Sequence, residues 1–584
     1  MTTEQKLSHY INKSSELIGK TFGKKIRIGI LCSFTMNGLE ETMQVKSAEK
    51  NIDCITYVGG YNQYNQEILT PESNLYKFSP DITFLLIDTR NILGDLFHLP
   101  YSGSTSERKS FVEKKLKEIQ NLANTFTSRT KSKLVIANFG IPTYSSHGII
   151  ETKIEYGFHQ MIEDLNRGLI NFFANFDSIY VYDFNGFVSR YGENNVFDYK
   201  QFFFGDMKIS LDYIPYLAND LMGYVIGYLG LSKKCIVLDL DNTLWGGVIG
   251  EDGFNGIRLG PEPPGNTYLE FQRVLLSLYQ RGIILAINSK NNFDDALKVI
   301  KEHPYMVLRE EHFASMRINW NDKVSNVKEI ASELNIGVDS VVFFDDDPVN
   351  REYMKLNMPQ ILTADLPQDS SQYAQILKQM NEFSVLNITN EDTKRGKMYV
   401  EQHKRDDLKQ STPNLESFLK NLELRLLIKK VNEFTIPRIS QLTLKTNQFN
   451  LTTKRYQESD IRKFSEDNKY LVGCLQVEDK FGDNGITGVF IVYKDNPKEW
   501  FIDTFLLSCR VMGREVEKGM LGYIMSKAKE NGVEQIKAQF ITSQKNKPIE
   551  DFLPNCGFHK NDDYWIYSLK SPFSIPDYLM VCVE

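Results

Sequence analysis

The chain has 584 residues, 41% apolar and 24% charged, with a net charge of -7, so it carries no global basic field for nucleic acid. Its seven cysteines include no CxxC pair, which argues against a disulfide framework or a structural zinc site and points to a reducing cytoplasm. The leading MTTEQKLSHYINKSSELIGK lacks an apolar core, and no apolar run approaches about 18 residues, so neither a signal peptide nor a spanning helix is expected. This length predicts three or four domains.

The N-terminal third reads as α/β. KIRIGIL, ITFLLID, KLVIANF and SIYVYDF are apolar, β-branched strands, separated by helical stretches such as ERKSFVEKKLKEIQNLANTF. Tyr61, Asn62, Tyr64 and Asn65 either line a cleft or form a polar loop.

The middle opens on CIVLDLDNTLWGGVIGEDG, residues 235–253. A short apolar strand ends in Asp239 and Asp241, two positions apart, so both carboxylates point the same way from its carboxyl end. They repel unless a cation or a shared proton lies between them; the bland alternative is a polar turn. Three later segments weigh against that alternative. GIILAINSKNN is a strand ending in Ser289, Lys290 and Asn291; INWNDKVSNVKEIASELNI places Lys323 in the first turn of a helix; VVFFDDDPVNRE runs into Asp345, Asp346 and Asp347. Strand–helix alternation predicts a parallel sheet, with these groups converging beyond the carboxyl ends of its strands. NIGVDSVV imitates the serine attachment site of a carrier protein, but Ser340 starts a strand here rather than a helix, so any carrier is a separate chain.

In the C-terminal third, PQDSSQYAQ is a polar connector and helical patterns run to about residue 421. LELRLLIKK, YLVGCLQVED, GITGVFIVYK and EWFIDTFLLSC are predicted strands. CRVMGREVEKGMLGYIMSKAKENG then carries a strand into a helix through Arg-x-x-Gly-Arg, whose backbone N–H groups suit a pyrophosphate.

The order DxDxT, Ser, Lys, Asp-Asp resembles the four-motif signature of haloacid dehalogenase (HAD) superfamily phosphotransferases. The resemblance implies that Asp239 is the nucleophile on phosphorus and Asp241 the general acid and base. It makes Thr243, Ser289, Lys290 and Lys323 the phosphate-binding set. Mg²⁺ would be held by Asp239, Asp345, Asp346 and the backbone carbonyl of Asp241. With no long cap between the first two motifs, the flanking domains are the expected cover for the site.

DLDNTLWGGVIGEDG, SKNN, HPYMVLREEHF, INWNDK and FFDDDPVNRE further resemble the FkbH-like family, which loads a glyceryl unit from 1,3-bisphosphoglycerate onto an acyl carrier protein. The resemblance implies three α/β parts: an SGNH-hydrolase-like domain over 1–231, a HAD-like parallel-sheet core over 232–367 and a GNAT-like acyltransferase domain over 368–584. Ser33 stands where SGNH hydrolases carry their nucleophile and Asn138 near their oxyanion block. GDMKISLDYIPYLANDL lacks the expected histidine, which predicts a degenerate, non-hydrolytic domain. Where relatives commonly have Cys, this chain has Asn288, and Asn cannot form a thioester. In the GNAT-like part, Cys509 is the remaining thioester candidate, activated by a helix N-terminus and Arg510; otherwise it is a packing cysteine. Arg510, Gly513, Arg514 and Asn447 are the acyl- or pantetheine-binding set, and Glu515 is a support for Arg510 or Arg514.

The function expected is therefore a cytoplasmic, Mg²⁺-dependent enzyme. It would dephosphorylate a 1,3-bisphosphoglycerate-like acyl phosphate and pass the hydroxyacyl group to the phosphopantetheine of a separate acyl carrier protein, with a phosphopantetheine or CoA thioester held in the C-terminal domain. The alternatives are a plain HAD phosphatase on another small phosphorylated metabolite, favoured by Asn288, and a non-catalytic scaffold, disfavoured by the intact motifs. Neither nucleic acid nor membrane is an expected partner.

Overall fold

The computed structural model describes residues 4–389, 398, 401, 405, 408 and 411–584. It forms two compact units that divide between Val225 and Ile226. Part of the helical stretch predicted to run to about residue 421 lies outside the described residues.

The first unit is built on five parallel strands, β1 (Lys24–Cys32), β2 (Ile52–Val58), β3 (Ile82–Leu86), β4 (Lys133–Ala137) and β5 (Ile179–Tyr182), in the order β2-β1-β3-β4-β5. β3 and β4 are buried along their whole length, as a sheet covered on both faces requires. The 25-residue helix Thr105–Arg129 starts on a capping box in which Ser104 and Glu107 satisfy each other's backbone N–H groups.

The second unit holds two sheets. The first has β6 (Cys235–Leu238), β7 (Ile284–Ser289), β8 (Phe313–Ile318), β9 (Val341–Phe344) and β10 (Leu362–Thr363), all parallel, in the order β10-β9-β6-β7-β8. The period of 2 sorts their side chains into two cores. Ile236, Leu238, Leu285, Ile287, Val342 and Phe344 pack against the helix Gly265–Gln280. Cys235, Val237, Ile284, Ala286, Val341 and Phe343 pack against the helix Lys323–Glu333. Register then sets the active edge: Leu238 lies opposite Phe344 and Ile287, so Asp239 emerges between Asp345 and Asn288. Ser340 closes a short turn before β9, as expected of a strand start.

The last sheet is mostly antiparallel. It comprises β11 (Arg425–Lys430), β12 (Phe449–Asn450), β13 (Tyr470–Asp479), β14 (Gly482–Tyr493), β15 (Glu499–Leu507), β16 (Gln535–Ala538), β17 (His559–Asn561), β18 (Tyr564–Ser568) and β19 (Met580–Val583). β15 and β16 run parallel only from Glu499 to Ile502; beyond that they part, and Leu506 and Leu507 pair with β12 instead. A central meander, a strand leading to the helix Val516–Glu530, and a parallel pair that splays give this sheet a GNAT-like arrangement.

Candidate active site

Asp239 and Asp345 share one face of the HAD-like sheet by strand parity, Lys323 comes from the helix packed on that face, and all three are buried. Lys323 Nζ lies 2.9 Å from Asp239 Oδ2 and 2.6 Å from Asp345 Oδ2. It sits in the first turn of its helix, with Asp322 as cap through the N–H of Ser325. Burial works to lower the Lys323 pKa, but Asp239 and Asp345 outweigh it and hold the amine protonated.

Asp239, Asp345 and Asp346 offer carboxylate oxygens within 4.8 Å of one another. Burial, then Asp239 and Asp345, push Asp346 up to about 7. Burial and Asp239 raise Asp345 as well, against the pull of Lys323. Asp239 Oδ1 is buried and has no hydrogen-bond partner. An orphaned carboxylate oxygen facing two further acids under one lysine is a donor set of the kind hard divalent cations take, so these residues fit Mg²⁺.

Asp241 stands outside that cluster. Its Oδ1 accepts from Trp245 Nε1 at 2.9 Å and from the Ile249 N–H at 3.2 Å; its Oδ2 accepts from Asn291 Nδ2 at 2.9 Å. Burial raises its pKa and the three donors moderate that rise. Asn291 Nδ2 also lies 3.2 Å from Ser289 Oγ, which ties the general acid to the phosphate-binding serine. The sequence reading gave Trp245 and Asn291 no role. The only available signal was their placement just after the first motif and just after Ser289.

Two of the predicted phosphate ligands stand differently. Thr243 is fully buried: its Oγ1 donates to Asp346 Oδ1 at 3.5 Å and accepts the Asp346 N–H at 3.2 Å, so it braces the metal-side loop rather than facing a ligand. Lys290 is exposed on the turn beyond Ser289. Arg351 donates to the carbonyls of Asp345 (2.8 Å) and Asp346 (2.6 Å) and locks the acidic loop from behind.

By strand parity Asn288 lies on the same face as Asp239, but its fully buried side chain is spent on the helix that carries Lys323. Its Nδ2 donates to the Lys323 carbonyl at 2.9 Å and its Oδ1 accepts from Asn326 at 3.0 Å. It splices β7 to the helix that carries Lys323.

In the first unit, Ser33 is fully buried at the end of β1. Its hydroxyl donates to Asn91 Oδ1 (3.1 Å) and accepts the Asp88 N–H (2.8 Å). Asn138 is spent on Asp183 and the Asn185 N–H. Lys208, in the stretch that lacks the expected histidine, pairs with Asp88, and burial pushes its amine down to about 7. Tyr61 is exposed and donates to Asp206.

In the C-terminal sheet, three expectations are corrected. Arg514 is buried and directed inward, to Asp479 (3.1 Å), Asn484 (3.4 Å) and the Arg510 carbonyl (2.8 Å), so it does not face a ligand. Glu515 pairs with Lys518 and accepts from Tyr578, not from either arginine, because its left-handed backbone (φ 59°) turns it off the loop. Cys509 begins a short turn, Cys509–Val511, and the next helix starts only at Val516, so no helix N-terminus adjoins the thiol. Gly513 is exposed with φ 76°, a left-handed turn that favours glycine. Cys509, Arg510 and Asn447 do line one cavity.

That cavity lies at the wrong end for a cover. Asn335 Nδ2 donates to the Cys509 carbonyl at 2.6 Å and Lys545 pairs with Asp339 at 2.5 Å. Both contacts fall at the amino edge of the HAD-like sheet, opposite Asp239. These contacts set the C-terminal sheet against the edge away from Asp239, while Tyr373, earlier in the chain, reaches the Asn242 carbonyl beside the phosphoryl site at 3.4 Å.

By fold and by this site, the chain is a HAD-type enzyme. Residues 27–226 match the family model described as FkbH, N-terminal domain. The N-terminal part of the protein BF1531 from Bacteroides fragilis, described as containing a phosphatase domain complexed with Mg, is 26% identical, with a TM-score of 0.61, over 66% of this chain and 100% of that one. Together these matches bear out the FkbH-like family read from the sequence. The Escherichia coli ribosomal-protein-S18-alanine N-acetyltransferase (12% identity, TM-score 0.20, 26% of this chain and 96% of that one) also aligns, as does a Staphylococcus aureus GNAT acetyltransferase (12%, 0.20, 25% and 99%). No curated protein matches the chain. No helix among the described residues is long and apolar enough to cross a membrane.

Proposed function

We propose that the chain is a Mg²⁺-dependent phosphatase of the HAD type that also carries an acyl-transfer site, acting on a phosphorylated hydroxyacyl phosphate of the 1,3-bisphosphoglycerate kind. The observation that carries the phosphatase reading is the orphaned Asp239 Oδ1, buried beside Lys323, Asp345 and Asp346. Asp239 attacks phosphorus; the P–O bond to the leaving group breaks, and Asp241 gives that oxygen its proton. Asp241 then takes a proton from water, which attacks the aspartyl phosphate and frees Asp239. Lys323 and the Ser289 hydroxyl offset and orient the phosphoryl oxygens. Mg²⁺ held by Asp239, Asp345 and Asp346 would supply charge neutralisation at those oxygens.

Bond bookkeeping separates the two activities. If Asp239 took the acyl phosphate's own phosphorus, the acyl group would leave as a carboxylate and lose its activation. Asp239 therefore serves the phosphate monoester. Acyl transfer is a thiol attack on the carbonyl carbon: a C–S bond forms, the C–O bond to phosphate breaks, phosphate leaves with the bonding pair, and the thiol proton passes to solvent. The thiol is that of Cys509 or of the carrier's phosphopantetheine. Two bonds broken by two nucleophiles need no shared site, which accords with Asp239 and Cys509 lying toward opposite edges of one sheet.

The second reading is a phosphatase without acyl transfer; the commitment of Asn288 to helix packing favours it. Intact-mass spectra with Mg²⁺ and freshly made 1,3-bisphosphoglycerate, with and without a phosphopantetheinylated carrier, separate the two. A glyceryl adduct on enzyme or carrier supports transfer; phosphate release with no adduct supports the second reading. No Mg²⁺-dependent phosphate release from this substrate or from a generic phosphate ester would defeat both.

A further inference from the structure

The turn that carries Asp241 is held by side chains from outside the four motifs. It runs over residues 241–245, through a left-handed Asn242 (φ 52°), to Trp245, whose indole donates to Asp241 Oδ1. A residue other than glycine persists in that conformation where its surroundings over-determine it. Two carbonyls of the turn receive side-chain donors. Gln272 Nε2 donates to the Leu244 carbonyl at 2.8 Å, and the Tyr373 hydroxyl donates to the Asn242 carbonyl at 3.4 Å. The second bond is long; hydrogen bonds around reacting groups commonly tighten only in the working complex.

Gln272 lies on the helix Gly265–Gln280, fully buried beside an apolar core that includes Leu244 and Leu308. An amide is costly there unless it is hydrogen-bonded, and a leucine would pack without that cost. Both ends of this amide are used. Its Oε1 accepts the N–H groups of Val307 (2.9 Å) and Leu308 (3.1 Å), opposite the bond to Leu244. A flipped amide would set its NH₂ against two N–H groups and its oxygen against a carbonyl, so one orientation fits. Gln272 is therefore a strut with the turn at one end.

Tyr373 comes from farther along the chain. It is buried, opens the helix Tyr373–Lys378, and belongs to the stretch that reads as a polar connector. Its ring stands edge-on to Phe271 (centroids 5.7 Å apart), which packs on Phe344, the residue before Asp345 (5.8 Å). Ser370 Oγ lies 2.8 Å from Thr267 Oγ1 and Lys378 pairs with Glu270 at 2.9 Å, so the connector is docked on the helix that carries Gln272.

We propose that Gln272 and Tyr373 are positioning residues for the general acid: they fix the turn over residues 241–245, and the turn holds the Trp245 indole against the Asp241 carboxyl. Gln272 acts through Leu244, the neighbour of Trp245, and Tyr373 through Asn242, the neighbour of Asp241. This rests on the phosphatase reading above and adds to it that the connector is a working part of the phosphoryl site.

Gln272→Glu in the full chain keeps the acceptor for Val307 and Leu308 and removes the N–H that Leu244 receives. The chain has four tryptophans, so the Trp245 indole N–H is assignable by NMR from its loss in Trp245→Phe. Its hydrogen exchange should quicken about tenfold or more in Gln272→Glu. With 3-phosphoglycerate, whose leaving oxygen needs a proton, kcat should fall about tenfold while KM changes by less than about twofold. Combined with Trp245→Phe, Gln272→Glu should cost no more than about a further twofold in kcat, because both act on one contact. Tyr373→Phe, which keeps the ring, takes the same exchange and kinetic tests with effects of about threefold, and decides the matter should the melting curve show that Gln272→Glu does not fold. Unchanged indole exchange in folded variants, or kcat losses of Gln272→Glu and Trp245→Phe that multiply in full, would overturn the proposal. Absent phosphate release from the wild type would overturn the phosphatase reading, while the exchange rates, read without turnover, would still decide whether these residues hold the turn.

Discussion

Replacing Lys323 by Met isolates the electrostatic centre of the phosphoryl site. The side chain is only 5% exposed and lies 2.9 Å and 2.6 Å from two buried carboxylates. At an effective dielectric of about 20, unit charges 3 Å apart attract by roughly 5–6 kcal/mol. Desolvation of the lysine offsets much of that, so loss of one partner from a buried ion pair costs roughly 3–5 kcal/mol. Met keeps the stem's packing and removes only the charge. The Mg²⁺-free thermal transition that includes the HAD-like core should fall by roughly 6–20 °C, at about 2–4 °C per kcal/mol for a folded region of this size. Mg²⁺ should restore more of the melting temperature in the variant than it adds to the wild type, because three acids then face the cation with no competing amine. Phosphate release should fall at saturating Mg²⁺ all the same, since Lys323 also offsets charge on the transferred phosphoryl group. Differential scanning calorimetry with and without Mg²⁺, beside a phosphate-release assay, reads all three. A shift under about 2 °C with unchanged phosphate release would refute the placement of Lys323 between the two carboxylates.

Mg²⁺ affinity should be pH-dependent. Asp346 titrates near 7 in the metal-free fold and well below that when unfolded, so the native state holds the extra proton between those values. Metal-free stability should therefore fall as pH rises through that window, and Mg²⁺ should bind roughly tenfold more weakly per pH unit below about 7, releasing a proton; titrations at pH 6, 7 and 8 showing constant affinity would count against it. Trp245→Phe keeps the buried ring but removes one of three donors to Asp241. It should raise the Asp241 pKa further, moving the high-pH limb of the kcat/KM profile upward, and lower kcat roughly tenfold; an unmoved limb would mean that Trp245 serves packing alone. Asn288→Cys restores a thiol at a fully buried position. It should gain no acyl adduct and lose roughly 1–3 kcal/mol as the Lys323 carbonyl and Asn326 lose a partner; peptide mapping that finds an adduct at residue 288 would contradict this.

Much of the phosphoryl site was legible because short apolar runs ending in acids are local signals. Residues 236–238 and 341–344 mark strands, and parallel register brings Asp239 beside Asp345. The groups that hold the site were less legible. Trp245, Asn291 and Arg351 act across loop turns whose course a spacing does not give. Thr243 belongs to the motif, yet turns its hydroxyl to the Asp346 loop. Arg514 and Glu515 were misplaced for a related reason: adjacency along a loop says nothing of direction, and the left-handed residue at Glu515 sends the two side chains apart. The cavity around Cys509 was half legible. Its C-terminal wall follows from a strand-to-helix switch, but Lys234 and the 335–340 turn join its lining only through the packing of one sheet's amino edge against another.

The most direct test is to trap phosphate on Asp239. Asp241→Asn should keep Asp239 nucleophilic while removing the base that activates water, so the aspartyl phosphate should accumulate. Rapid quench of this variant with Mg²⁺ and p-nitrophenyl phosphate, whose leaving group departs without a proton from Asp241, followed by peptide mass mapping, should place one phosphate on Asp239. Phosphate release in the wild type with no phosphate ever found on Asp239, or release that persists in Asp239→Asn, would contradict the account.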